Sequence, residues 1–335
     1  MSSTSNTLPL RARLTRILTA SPEETGPPVG LRQRMAHSGR IRRVEFLPMG
    51  LTVLFVPLLV GAREWADVLS WQTAAAAVLV VLGIQIGNMV NCLADRWEDQ
   101  EYKPGQADAV RGLGVPNVVR QIVATGIVIA VVATWLVVSS GHYDLLLIGL
   151  LGGLLGVQYS LPPLHLKSRG IWQIPTLFAV LLFVPGLGIL RAADRPWDWS
   201  AVIELAGYAL AMAGVIVVNT AEDLPEDEKY GIRTFVVALG LSRAIAAALG
   251  SVVLGAVTVV ATVTARSGMT WGFLPFALAA ALAGGYLWRI RAVTRGLPRD
   301  AMVTALRPAA KAVPAVLAVL GWGTVVLALF VLADW

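Results

Sequence analysis

The chain has 335 residues, 56% of them hydrophobic, with a mean hydropathy of +0.69 and a formal net charge of +6. That composition excludes an ordinary soluble domain, because several apolar runs reach the ~17–25 residues that cross a bilayer as a helix. A single cysteine, Cys92, excludes an internal disulfide, and one thiol with three histidines argues against a zinc or haem site.

Residues 1–45 form a polar, basic N-terminal segment. Leu10, Leu14, Ile17 and Leu18 recur at helical spacing among Arg11, Arg13 and Arg16. That spacing predicts a short amphipathic helix on the inner leaflet, the alternative being a disordered tail. Residues 21–28 read as a breaker-rich linker, and Arg40, Arg42 and Arg43 as anchors at the membrane surface. Residues 46–335 read as one all-α membrane domain with nine apolar runs, at 46–62, 73–94, 121–140, 145–159, 173–190, 201–218, 241–265, 271–290 and 313–333. The fourth is short and glycine-rich. Alternate loops, with their flanks, hold 23 and 4 of the Lys and Arg residues, and cytoplasmic loops carry the excess. The expectation is a multi-pass protein of the cell membrane with its N-terminus in the cytoplasm and its C-terminus outside. Trp65, Trp71, Trp197, Trp199, Trp271 and Trp335 fall at the expected outer ends, as an aromatic belt does. The basic residues therefore read as topology and lipid-surface signals, not as a footprint for nucleic acid.

The second run closes in Asn91-Cys92-Leu93-Ala94-Asp95-Arg96-Trp97-Glu98-Asp99. Asn91, Asp95 and Asp99 are spaced by four and are expected on one helix face. Like charges at that spacing repel, and they sit where an apolar segment leaves the membrane. A bound magnesium ion would relieve both costs, since hard cations take carboxylate oxygens and share them with substrate phosphates. The plainer alternative is a solvated acidic helix end. The pattern recurs as Asn219, Asp223 and Asp227 at the close of the sixth run, and a Leu-Gly follows each time, at Leu113-Gly114 and Leu239-Gly240. Two such turns point to an internal duplication whose halves each supply one acidic face. Both are expected on the cytoplasmic side.

Residues 100–116, broken by Lys103-Pro104-Gly105 and carrying Arg111, are expected to form a lid. The fourth run ends in Tyr159-Ser160-Leu161-Pro162-Pro163-Leu164-His165-Leu166-Lys167-Ser168-Arg169, where two prolines stop the helix. Lys167 and Arg169 read either as surface anchors or as cations that grip a diphosphate. Lys229 and Arg233 again stand beside carboxylates, where plain surface ion pairs are the alternative. Residues 291–311 are basic without a motif and are assigned to headgroups. His37 and His142 read as surface residues.

Three blocks together resemble the UbiA-type intramembrane prenyltransferase superfamily. They are Asn91…Asp95…Asp99, then Tyr159-Ser160-x-Pro162-Pro163-x-x-Leu166-Lys167, then Asp223…Asp227 followed by Lys229-Tyr230-Gly231-Ile232-Arg233-Thr234-Phe235. Lys103-Pro104 and the Gly231-Ile232-Arg233 run are most similar to the branch of homogentisate prenyltransferases and chlorophyll synthases. The resemblance implies nine transmembrane helices around a central cavity capped by the acidic motifs. It implies that Asn91, Asp95, Asp99, Asp223 and Asp227 bind magnesium and the diphosphate. It also implies that Lys167 grips diphosphate oxygens and that Tyr159 stabilises positive charge at the allylic carbon. Lys103, Arg169, Asn219, Lys229 and Arg233 are the further diphosphate ligands expected. Cys92 stands where the family commonly has Asp, and His165 where it often has Arg. The implied reaction is magnesium-dependent transfer of a prenyl group from an isoprenyl diphosphate to a lipophilic, aromatic acceptor in the membrane. A terpene cyclase of the same fold and an ion-coupled transporter are the alternatives; transporter sites tend to lie near the midplane, whereas these aspartates are placed at one face.

Overall fold

The apolar runs fold into helices, and nine of them build the body of the molecule. A computed structural model describes residues 9–21, 24, 29–193 and 197–334, so Trp335 and most of the 21–28 linker lie outside the described residues. We number the nine helices α1 (Leu47–Gly61), α2 (Trp71–Ala94), α3 (Val115–Ser140), α4 (Asp144–Ser160), α5 (Gly170–Ala192), α6 (Trp199–Glu222), α7 (Leu241–Ser267), α8 (Phe273–Thr294) and α9 (Val313–Leu332). Among the described residues there is no strand. Among the described residues eight helical spans are long and apolar enough to cross a membrane, the first of them being α1 together with the 3-10 turn before it, Val44–Gly61, whereas α4, with 17 residues, is apolar but short. Several helices outrun their apolar runs. Thus α3 begins at Val115, with Pro116 in its first turn, where a missing N–H costs nothing.

Helix α6 is the hub. Leu205, Tyr208, Met212, Val215 and Val218 are buried around its whole circumference, and α1, α7 and α9 pack against it. It meets α7 through small residues: a Cβ on Gly214 would lie 2.6 Å from the Ala248 carbonyl, and one on Gly207 2.9 Å from that of Gly255. Such contacts let two backbones approach closely where lipid supplies no hydrophobic drive. The Tyr208 hydroxyl meets Thr52 of α1 at 3.0 Å, satisfying a buried polar group. Far from the acidic motifs, Arg266 Nη2 stands 2.7 Å from Glu204 Oε2, as an ion pair and not a directed hydrogen bond. Arg191 meets Asp144 at 2.5 Å near the same end.

The two halves share a local design. Each acidic helix, α2 and α6, runs into short helices, then a glycine, then an antiparallel partner, α3 or α7. The glycines are Gly114 (φ +78°) and Gly240 (φ +77°), a left-handed conformation that side chains strain to adopt. Helix α5 is interrupted by a π-helical turn, Phe178–Phe183, ahead of Pro185. Pro185 cannot donate to the carbonyl four residues back, and the widened turn absorbs the lost bond.

Three segments differ from expectation. The span expected as a lid folds into Asp99–Tyr102 and Pro104–Leu113, because Pro104 starts a helix instead of breaking one. Ala107, Ala109, Val110 and Leu113 are buried there, under a helix at Leu31–Ile41 that the basic sequence around it concealed. The basic stretch 291–311 contains a further helix, Arg299–Ala310, that docks on α6 and α8 and pairs Arg299 with Glu228. The amphipathic helix expected near the N-terminus is present at Leu10–Leu18.

Candidate active site

Helices α2 to α6 enclose a cavity of about 600 Å³, while α1, α7 and α9 back α6, and α8 packs behind α7 and α9, none of them lining it. Its walls are apolar or glycine, among them Leu79 and Gly83 of α2, Gly152 and Gly156 of α4, and Val180 and Val184 of the π-turn region. Only its mouth is charged, and both acidic motifs meet there.

Neither motif stays on one continuous helix. Helix α2 ends at Ala94 with Asp95 as its C-cap, and α6 ends at Glu222 with Asp223 in the same role. The four-residue pitch nonetheless survives in the backbone. Asp95 N donates to Asn91 O at 2.9 Å, Asp99 N to Asp95 O at 2.8 Å, and Asp227 N to Asp223 O at 2.8 Å. The carboxylates therefore still stack along one side, each on a turn that leaves its helix.

Nine of the expected site residues line this cavity, Asn91, Asp95, Asp99, Lys103, Tyr159, Lys167, Asn219, Asp223 and Asp227, and so does Arg43, which reads in the sequence as a surface anchor. Lys167 Nζ reaches Asp95 Oδ2 at 2.6 Å and Glu98 Oε2 at 3.7 Å. Asn91 Nδ2 donates to the same Asp95 oxygen at 2.7 Å and to Ser160 Oγ at 3.2 Å. Lys103 Nζ, from the first motif, reaches Asp223 Oδ1 of the second at 2.8 Å. Two lysines thus tie the halves and the Pro162-Pro163 loop into one mouth. Arg169, Lys229 and Arg233 are not brought to it. All three are exposed; Arg169 donates to the Leu164 carbonyl at 2.7 Å, and Lys229 lies over the Tyr230 ring. Of the two departures from the family pattern, Cys92 is buried in an apolar cluster with Ile41, Met89 and Val110, away from the cavity. His165 takes φ +43° in the loop, and burial followed by Lys167 pushes its pKa down to about 4.

Three functional candidates escaped the sequence reading. Glu226 lines the cavity, and Glu98 faces Lys167. Their signal was present, for both turns read Asn-x-x-x-Asp-x-x-Glu-Asp. Gln173, buried at the start of an apolar run, donates to the Tyr159 hydroxyl at 3.3 Å and accepts from Phe235 N at 2.8 Å.

The mouth holds more negative charge than its lysines balance. Burial, then Asp95, pushes Glu98 up to about 8 and Asp99 up to about 7. Burial also raises Glu226 and Asp227 to about 7. The Thr234 hydroxyl approaches Asp227 and pulls it the other way, but without hydrogen-bond geometry, so Asp227 Oδ2 and Thr234 Oγ1 remain buried and unpartnered. Burial works against both lysine charges, and Asp95 and Asp223 more than offset it, so Lys167 and Lys103 stay firmly protonated. Among the described residues no three His, Cys, Asp or Glu side chains converge tightly enough to hold a metal unaided. In this arrangement the lysines occupy the carboxylates that a cation would take.

An apolar helical bundle enclosing one cavity, with charge confined to the mouth, defines a multi-pass membrane protein. Residues 49–307 match the model of the UbiA prenyltransferase family, and the chain belongs to that family. No curated protein matches it at the sequence level. Among solved structures it is similar to the apo UbiA homologue of Aeropyrum pernix K1, at 18% identity and TM-score 0.60, covering 84% of this chain and 97% of that one. It is also similar to the UbiA homologue of Archaeoglobus fulgidus bound to GPP and Mg2+, at 13% identity and TM-score 0.56, covering 86% and 99%. A digeranylgeranylglyceryl phosphate synthase structure matches at 14% identity and TM-score 0.59, covering 88% and 98%.

Proposed function

We propose that the chain transfers a prenyl group from an isoprenyl diphosphate to a lipophilic, aromatic acceptor, with magnesium, at the cytoplasmic end of a nine-span bundle in the cell membrane. The observation that carries this reading is the convergence of two acidic turns and two partly buried lysines on the mouth of an apolar cavity. An amphiphile with a polyanionic head and a hydrocarbon tail fits that division of charge. The donor set fits magnesium as well: all-oxygen ligands, carboxylates raised by burial and then by the neighbouring Asp95, and an orphaned oxygen on Asp227.

Bound magnesium would supply charge stabilisation to the departing diphosphate, held by Asp95, Asp99, Asp223 and Asp227 with Asn91, Asn219 and Glu226 beside them. Lys167 and Lys103 would turn from Asp95 and Asp223 to phosphate oxygens, where charge-assisted bonds are strong. Tyr159, oriented by Gln173, would stand beside the allylic carbon and stabilise its positive charge. The apolar walls keep water from that carbon. The acceptor attacks it, and a carboxylate or the leaving diphosphate takes the proton.

The test is diphosphate release by the purified protein in detergent. Geranyl, farnesyl and geranylgeranyl diphosphates are offered with magnesium, with and without phenolic acceptors, with Asp95→Ala and Asp227→Ala as controls. Acceptor-dependent release with a mass gain of one prenyl unit is expected. Acceptor-independent release with a cyclic product would make it a cyclase. Variants indistinguishable from an inactive parent would sink the diphosphate reading altogether.

A further inference from the structure

The first acidic turn contains a cation that faces away from the cavity. Arg96 lies between Asp95 and Trp97, is only 2% exposed, and does not line the site. Its guanidinium donates Nη1–H to Leu93 O at 2.7 Å and Ile17 O at 2.9 Å, and Nη2–H to Arg16 O and Thr19 O at 3.1 Å each. Its Nε–H reaches Glu24 Oε1 at 2.8 Å. The planar group stacks 3.6 Å from the Trp97 ring centroid, and Arg16 also lies over that ring, at 4.7 Å.

The acceptors explain the arrangement. Arg16, Ile17 and Thr19 supply carbonyls at the end of Leu10–Leu18, and Leu93 supplies one at the end of α2. The last carbonyls of a helix lack intrahelical partners and carry the negative end of its dipole. One guanidinium therefore caps two helix ends at once, and Glu24 balances its charge inside the protein. Only a rigid, flat, five-donor group can serve these acceptors together; an ammonium cannot.

We infer that Arg96 is a positioning residue. By locking the end of α2 to the N-terminal segment, it sets the direction in which the chain leaves that helix, and so where Asp95, Glu98 and Asp99 stand across the mouth from Asp223 and Asp227. The N-terminal segment is on this account part of the site's framework.

The inference rests on the proposed function for its ligand, so the test reads the site without turnover. Arg96→Lys and Glu24→Gln are compared with the parent in detergent by Mn2+ binding in the presence of inorganic diphosphate, followed by electron paramagnetic resonance. Amide hydrogen exchange is followed over residues 95–103. We expect Arg96→Lys to weaken Mn2+ binding at least tenfold and to speed exchange in this turn while distant helices exchange as in the parent. Glu24→Gln keeps the guanidinium and its carbonyl bonds and is expected to weaken binding at least threefold, which keeps the inference testable should Arg96→Lys fail to fold. Parental Mn2+ affinity together with parental exchange in either folded variant would overturn the positioning role. A parent that binds no Mn2+ would count against the proposed function, and exchange alone would then decide the role of Arg96.

Discussion

Lys167 and Lys103 each bond a carboxylate of a different acidic turn, whereas Arg169 bonds a backbone carbonyl at the surface. Sequence proximity to the motifs ranks these cations equally; their positions separate them. Lys167→Ala is expected to lower kcat/KM for the isoprenyl diphosphate by about 10²–10³-fold, in line with removal of a preorganised charge at a departing anion. Arg169→Ala is expected to change it by less than about threefold, as for other surface substitutions; steady-state kinetics on the two variants checks both. The raised carboxylates give a second outcome. A metal binds their ionised forms, and burial favours the protonated forms below about 8 for Glu98 and about 7 for Asp99, Glu226 and Asp227. Half-saturating magnesium should therefore fall as pH rises from 6 and level off above 8, with protons released on binding near neutrality. Calorimetry in buffers of different ionisation enthalpy measures that release.

Among the elements, the acidic turns show how local signals can mislead. Pro104 reads as a breaker, yet it opens Pro104–Leu113, because proline is tolerated in a first helical turn. The apolar face of that helix, Ala107, Val110 and Leu113, lies within a stretch that averages polar. The α6–α7 seam is a different case, set by contact and not by propensity. Gly214→Leu would drive a side chain into the Ala248 carbonyl and is expected to cost about 1–3 kcal/mol, the usual range for overpacking. Gly285 of α8 has nothing within 4 Å of its Cβ position, so Gly285→Ala should leave stability unchanged or raise it, as Ala is the better helix former. Thermal unfolding of both variants in one detergent gives the comparison.

For the whole molecule, both acidic turns lie at one end of the bundle and the Arg191–Asp144 and Arg266–Glu204 pairs lie away from it. The proposed orientation, with the acidic end in the cytoplasm, rests on the distribution of Lys and Arg. Cys92 is buried, so single introduced cysteines report topology against a silent background. Asp300→Cys should react with a membrane-impermeant maleimide only from the cytoplasmic side, and Ser267→Cys only from outside. The reverse pattern would invert the orientation.

The apolar runs, their approximate ends and the twice-repeated acidic pattern are legible in the amino-acid order, because hydropathy and short-range spacing are local properties. Even Glu98 and Glu226 were within reach, since the two turns share them at the same offset. Which charges face the cavity was not legible. Lys167 meets Asp95 from 72 positions away, and Arg96 reaches Arg16 from 80. Such meetings depend on the angles at which helices pack and on how closely their glycines let them approach. Five helices had to close around one space before its mouth could select Lys103 and Lys167 and leave Arg169, Lys229 and Arg233 outside.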